Sequence, residues 1–217
     1  MIKTSSLFDL TTFSHRAIFK SEERPWEVLG AIGSYLESYA LGKIEIEIPE
    51  GVFLENPELI SIGKGSVVES GSFIRGPCIL GKNCSVRHGA YIRGNLIAGD
   101  HCVIGHASEV KNALFLDHAQ AAHFAYVGDS VLGNRVNLGA GTKLANLKLN
   151  HHEISIVIDG QLVKTGLRKF GALLGDDAQL GCNSVTNPGT ILGQGSFWYP
   201  CTANGGVFPP KSRIKSC

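Results

Sequence analysis

The chain has no apolar run long enough to cross a bilayer, and its first residues, MIKTSSLFDL, lack the basic head and apolar stretch of a secretory signal. It has neither a Gly-x-Gly-x-x-Gly turn nor a Gly-rich loop ending in Gly-Lys-Ser/Thr; Gly63-Lys64-Gly65-Ser66 is a corner, not a phosphate cradle. Charge is scarce: 20 Lys and Arg against 19 Asp and Glu leave a net +1, with 18% of residues charged, so neither nucleic acid nor an acidic membrane is indicated as a partner. Six Cys, at 78, 84, 102, 182, 201 and 217, show no CxxC or zinc-ribbon spacing. Cys84 and Cys102 read as reduced core residues, and the expected location is cytoplasmic. What the chain does have is glycine, 27 residues, with 43% hydrophobic content, which describes many tight corners rather than helices.

Those corners are periodic. Between residues 62 and 122 an aliphatic residue or Ala returns at every sixth position: Ile62, Val68, Ile74, Leu80, Val86, Ile92, Ala98, Ile104, Val110, Leu116 and Ala122. A helix repeats near 3.6 and a lone strand near 2, so a period of six belongs to neither. Hexapeptides are the repeat of a parallel β-helix, each hexad a short strand with its aliphatic side chain inward and Gly or Asn at the corner. Three hexads close an 18-residue coil, and coils stack about 4.8 Å apart. Cys84 and Cys102 then share a column in adjacent coils.

Three regions follow. Residues 1–45 are not hexads; Ser21-Glu22-Glu23-Arg24-Pro25 is a helix-start signal. Val28, Leu29, Ile32, Tyr35, Leu36 and Tyr39 recur at helical spacing, giving a helix that lies on the β-helix body or on a neighbouring subunit. The solenoid occupies 46–217. It drops one residue near Tyr126, since Leu132-Gly133 and Leu138-Gly139 follow Val127-Gly128, and it is interrupted at about 147–170. There Ile154–Ile158 and Gln161–Lys164 flank Asp159-Gly160, a hairpin signal. The tail from Phe208 to Arg213 is expected to leave the β-helix.

The residues that do not serve the repeat cluster together: Tyr91-Ile92-Arg93-Gly94, Glu109-Val110-Lys111, then Ala122-His123-Phe124-Ala125-Tyr126-Val127-Gly128-Asp129, and Asn134-Arg135-Val136-Asn137-Leu138-Gly139-Ala140-Gly141-Thr142 with Asn146. In these segments the chain resembles the acetyltransferase domain of bifunctional glucosamine-1-phosphate acetyltransferase/N-acetylglucosamine-1-phosphate uridyltransferase, and the C-terminal domains of related sugar-nucleotidyltransferase-like proteins. The resemblance covers roughly 60–205. It implies a mainly β fold, a left-handed β-helix that trimerises; the hand comes from the family, because the repeat does not show it and ordinary parallel crossovers are right-handed.

The resemblance also implies roles. His123 falls on the base that takes a proton from the sugar amine, work suited to an imidazole. Glu109 falls on the carboxylate that orients that imidazole. Arg93 and Lys111 fall on the cationic clamp for the sugar phosphate. Tyr126 and Asn137 fall on groups bonding the sugar and phosphate. Asn146 falls on the amide that stabilises the oxyanion or positions the amine. Ala140 and Cys182 fall where acetyl-CoA passes, Cys182 in place of a Ser whose backbone N–H meets the thioester oxygen. No metal is implied.

Two departures qualify the match. The family carries a Lys near the phosphate in a short loop after the Asn146 position; here the longer insertion intervenes, and a direct count reaches His152. No segment of these residues reads as the uridyltransferase half, while Arg24-Pro25-Trp26-Glu27-Val28-Leu29 resembles the linker helix that precedes such β-helices. The expected activity is acetyl transfer from acetyl-CoA to the amine of an amino-sugar phosphate such as glucosamine 1-phosphate, toward UDP-N-acetylglucosamine, by a homotrimer. Separately, His123 alone would read as a corner histidine, Glu109-Val110-Lys111 as a solvated face, and Lys211, Arg213 and Lys215 as a frayed basic tail rather than a contact for the coenzyme's 3′-phosphate. Two other readings stand beside the enzyme. One is a non-catalytic β-helix module partnering a separate sugar nucleotidyltransferase. The other is a zinc-dependent, carbonic anhydrase-like protein, suggested by His88 and His106 on one column and by His101/His106 and His118/His123 each five apart.

Overall fold

The computed structural model describes residues 2–215; Cys217, the sixth cysteine, lies outside them. Short strands pair in parallel from coil to coil and form three faces. One face is an eight-stranded sheet running from Val67–Val68 through Ser85–Val86, Val103–His106, Gln120–His123, Asn137–Leu138, Gln179–Leu180 and Phe197–Trp198 to Arg213–Ile214. The other two faces form a single 14-stranded sheet, because the strands Glu109–Phe115 and Tyr126–Leu132 run through the corner between them. Inside, Ile62, Val68, Ile74, Leu80, Val86, Ile92, Ala98, Ile104 and Val110 form the continuous apolar core that the repeat predicts.

Beyond Val110 the column departs from the expected hexad. The inward residues are Phe115 and Ala121, whereas Leu116 packs in the outer cluster and Ala122 is half-buried. Two residues are therefore dropped, one at Asn112, ahead of the expected place, and one at Asp129, three residues past Tyr126. Below Asn112 the corner takes two left-handed residues, Gly94 (φ +91°) and Asn95 (φ +51°); at Asn112 (φ +44°) and again at Asp129 (φ +48°) it takes one. Coil spacing shortens accordingly, from 18 residues between Tyr91 and Glu109 to 17 between Glu109 and Tyr126. Asn and Asp tolerate the left-handed region better than other side chains, so both corners close without glycine.

The second face is apolar on both sides. Its strands are unbroken apolar triplets such as Cys78–Leu80, Leu96–Ala98 and Ala172–Leu174. Their outward members Ile79, Ile97, Leu114, Val131, Leu173 and Ile191 form a stripe that the N-terminal segment covers. The helix Val28–Glu37 buries Val28, Leu29, Ile32 and Leu36 there, so it lies on the β-helix body. Tyr39, expected on the same stripe, is 43% exposed. Asp176 fastens the segment: its amide donates to Leu7 O at 2.9 Å and its carboxylate accepts from Asp9 N at 2.8 Å.

The interruption is an antiparallel hairpin, Ser155–Ile158 with Gln161–Lys164, turning on Asp159 (φ +52°) and Gly160 (φ +76°). Ile154, Ile156 and Phe170 return to the outer cluster. The tail does not leave the solenoid. Val207–Phe208 and Arg213–Ile214 pair with Thr190–Leu192 and Phe197–Trp198, and Phe208 packs edge-on against Trp198 at 5.5 Å, closing the open end of the core. Arg213 and Lys215, expected to fray, lie over the Phe197 and Tyr199 rings at 5.7 and 5.1 Å. Cys84 and Cys102 are buried core thiols that donate to Gly99 O (3.1 Å) and Leu116 O (3.0 Å). Burial pushes the Cys78 thiol up to about 12.

Candidate active site

On the face of the 14-stranded sheet that carries Tyr91–Ile92, outward side chains stand in vertical columns, so ladder register decides which of them meet. Tyr91, Glu109, Tyr126 and Lys143 share one column, and Lys111 lies level with Gly128 in the next. Arg93, just past the strand Tyr91–Ile92, reaches up to Glu109, with Nη1 donating to Oε1 at 2.7 Å. Both partners are more than one-third exposed, so the pair contributes modestly to stability. Glu109 is thus joined to Arg93 and not to His123.

One coil above, a second cluster is drier. Lys111 Nζ lies 3.1 Å from Asp129 Oδ2, with the two side chains 17% and 8% exposed. Asn112 Nδ2 donates to Asp129 Oδ1 at 3.0 Å, and Asn146 Nδ2 donates to Asp129 Oδ2. The Tyr126 hydroxyl donates to Asn146 Oδ1 at 3.5 Å. Burial, then the neighbouring Glu109 and Asp129 charges, raise the Tyr126 phenol above its ordinary range and keep it protonated. Gly128 makes room: a Cβ there would lie 2.7 Å from both Asn146 Nδ2 and the Tyr126 hydroxyl. An open cleft of about 520 Å³ runs past these groups, lined by Glu109, Phe124, Tyr126, Lys143, Asn146 and Val185 among others.

His123 ends the strand Gln120–His123 at the adjoining corner, exposed, immediately before the Phe124 that walls the cleft. The same corner continues upward through Ala140 and Cys182: Gly141 N donates to His123 O (3.0 Å), Asn183 N to Ala140 O (2.8 Å) and Cys201 N to Cys182 O (2.9 Å). Cys182 is exposed and Ala140 half-buried. Arg93, Glu109, Lys111, Tyr126 and Asn146 therefore come together on one face, with His123, Ala140 and Cys182 along its edge. Asn137 is not brought to them within one chain. It lies in the eight-stranded sheet between Gln120 and Gln179.

Three further side chains belong here without a motif role. Asp129 and Asn112 are the one-residue corners, and their signal in the sequence is the shortened repeat itself. Lys169 is the third. The insertion leaves after Asn146 and returns through an antiparallel bridge, Leu147 to Lys169, with Phe170 N donating to Asn146 O at 2.9 Å. Lys169, rather than His152, therefore stands beside the stem. His152 is exposed within the insertion, its amide donating to Asn150 Oδ1 at 3.1 Å. Arg168 and Lys169 line a second cleft of about 490 Å³ with Asn112 and Asp129.

The histidines sort by corner. His88 and His106 stack at 5.8 Å, their Nδ1 atoms against Ser70 O (2.7 Å) and His88 O (3.0 Å). His101 and His118 stack at 4.6 Å on another corner, because a spacing of five spans one face. Among the described residues no three His, Cys, Asp or Glu side chains gather as a metal-binding group. Among the same residues no helix is long and apolar enough to cross a membrane.

The chain is 39% identical over 173 residues to the bifunctional protein GlmU of Methanococcus maripaludis, covering 80% of this chain and 41% of that protein. It is 37% identical over 92 residues to the bifunctional sugar-1-phosphate nucleotidylyltransferase/acetyltransferase of Sulfurisphaera tokodaii, covering 42% of this chain and 23% of that protein. The chain thus spans 23–41% of the length of these curated relatives. Among solved structures, an Arabidopsis UDP-N-acetylglucosamine acyltransferase aligns over 73% of this chain and 64% of its own, with 12% identity and a TM-score of 0.42. Residues 74–196, more than half of the chain and including the whole Arg93–Asn146 cluster, match the family described as GMPPB C-terminal domain, and the chain belongs to that family.

Proposed function

We propose that the protein transfers acetyl from acetyl-CoA to the amine of an amino-sugar phosphate, glucosamine 1-phosphate being the first candidate, toward UDP-N-acetylglucosamine. The observation that carries this reading is a cleft lined by Glu109, Tyr126 and Asn146, with Arg93 paired to Glu109, Lys111 joined to Asn146 through Asp129, and His123 next to the Phe124 of its wall. Cations suit a phosphate, a phenol and an amide suit sugar and amine, and an exposed imidazole suits proton removal. The GlmU and nucleotidylyltransferase/acetyltransferase relatives support the same class of chemistry.

In the proposed step the amine nitrogen attacks the thioester carbon and the carbon–sulfur bond breaks. His123 takes the amine proton and passes it to the departing thiolate, so the products are the N-acetyl sugar phosphate and coenzyme A. The corner column His123–Ala140–Cys182 would guide the coenzyme. Asn137, on the other sheet, would complete the site from a neighbouring subunit of a homotrimer. A separate nucleotidyltransferase would use the product, and the cytoplasm is the setting in which these substrates occur. The test is incubation of the purified protein with acetyl-CoA and a panel of amino-sugar phosphates while free thiol is followed. Metal-independent thiol release with one acceptor is expected; none with any of them overturns the proposal.

A further inference from the structure

The carboxylate of Asp129, a residue only 5% exposed, accepts from Lys111, Asn112 and Asn146 together. Its backbone is as constrained as its side chain. It occupies a left-handed one-residue corner (φ +48°) and its carbonyl accepts Gly171 N at 2.7 Å, where the insertion rejoins the coil. An ionised carboxylate can only accept hydrogen bonds. The end of Asn146 facing it must therefore be the NH₂; the reversed amide would set a carbonyl oxygen against the carboxylate. Asn146 Oδ1 is thus turned to Tyr126, whose protonated hydroxyl donates to it. Asn112 cannot turn either, because its Nδ2 also faces Leu29 O at 3.3 Å, a second pure acceptor.

We propose that Asp129 is a positioning residue for acyl transfer: it fixes Asn146 with its amide oxygen on the Tyr126 side of the cleft and anchors Lys111 beside it. This rests on the acetyl-transfer reading and deepens it. An amide oxygen in that position accepts an N–H of the attacking amine and aims the nitrogen lone pair. It cannot donate to an oxyanion. Of the two roles open to Asn146, the Asp129 anchor favours positioning the amine, because it turns the oxygen toward Tyr126 and holds one of the two N–H donors.

The test is Asp129→Asn, nearly isosteric, assayed with acetyl-CoA and glucosamine 1-phosphate. The expected result is a fall in kcat of roughly 10–100-fold, the scale of about 1 Å of misplacement, with the KM for acetyl-CoA unchanged. In an Asn146→Ala background the same change should cost little more, because Asp129 acts through Asn146. Losses that simply add, or a wild-type kcat in Asp129→Asn, overturn the proposal. A readout without turnover separates this inference from the function it rests on. The Asn146 side-chain NH₂ resonances, identified by their absence in Asn146→Ala, should exchange slowly with solvent in the wild type. Fast exchange in the wild type overturns the anchor whether or not Asp129→Asn folds. Slow exchange without thiol release for any acceptor would support the anchor and sink the acetyl-transfer reading.

Discussion

Adding one methyl group at Gly128 tests the site with little disturbance to the scaffold. The Cβ of Gly128→Ala would lie 2.7 Å from Asn146 Nδ2, 2.7 Å from the Tyr126 hydroxyl and 3.0 Å from Tyr126 Cζ. Ordinary contacts of carbon with its neighbours begin near ~3.5 Å, so both side chains must retreat by about 0.5–1 Å. Gly128 is outside the left-handed set, so the backbone accepts alanine without added strain. The neighbours are ends of side chains, which places the overpacking cost at the lower part of the usual range, about 1 kcal/mol, or roughly 2–4 °C in Tm for a chain of this size. A displacement of that length at reacting groups costs on the order of 10²-fold in rate. Gly128→Ala should therefore melt almost as the wild type does and yet lose most of its kcat/KM for thiol release. Gly30→Ala, where a Cβ meets nothing within 4 Å, is the contrasting variant and should gain about 1 kcal/mol from helix propensity. Wild-type kcat/KM in Gly128→Ala would show that the Tyr126–Asn146 pair takes no part in the reaction.

Three other outcomes are expected. His123→Ala should lower kcat by roughly 10²–10⁴-fold with the sedimentation of the protein unchanged; unchanged thiol release would remove it as the base. Arg93→Ala should raise KM for the phosphorylated acceptor far more than for acetyl-CoA, and equal shifts in steady-state kinetics would remove the phosphate clamp. His15, buried against Tyr35 and Tyr39, has its pKa lowered by burial, with the Asp100 and Asp117 charges opposing. The unfolded chain then binds the proton first, so stability falls as pH drops below the ordinary value of 6.5. Urea melts at pH 7.5 and 5.5 should show that loss, and a variant His15→Gln that loses as much would assign it elsewhere.

Most of the solenoid was legible because a period of six has one structural meaning, and because glycine and asparagine mark its corners. The earlier of the two dropped residues, at Asn112, was not. Leu116 is as apolar as Phe115, and a repeat read by hydrophobicity cannot tell an inward residue from one packed under a covering segment. That covering was itself encoded, in triplets such as Leu96-Ile97-Ala98 that leave no polar side for solvent. The tail misled because Pro209-Pro210 reads as a breaker, whereas Phe208 and Ile214 on either side of it still face the core. For the candidate site, the family motif named Arg93, Lys111, Tyr126 and Asn146, which the fold brings onto one face. It gave no sign that Glu109 would pair with Arg93, or that Asp129 would gather three donors, since side-chain partners across coils depend on register and rotamer.

The excursion after Asn146 leaves no trace in the ladders. Lys143 pairs with Val185 as directly as Tyr126 pairs with Lys143, although the first pair is separated by the hairpin and the second by a single coil. Neighbourhood along the axis is thus counted in turns and not in residues. A segment of any length can be spliced in where the chain rounds a corner, provided its two ends meet as Leu147 and Lys169 do. A scaffold with that property can vary the wall of a cleft while holding its floor constant, because the pieces that shape one substrate from another hang outside the stack that places the reacting groups.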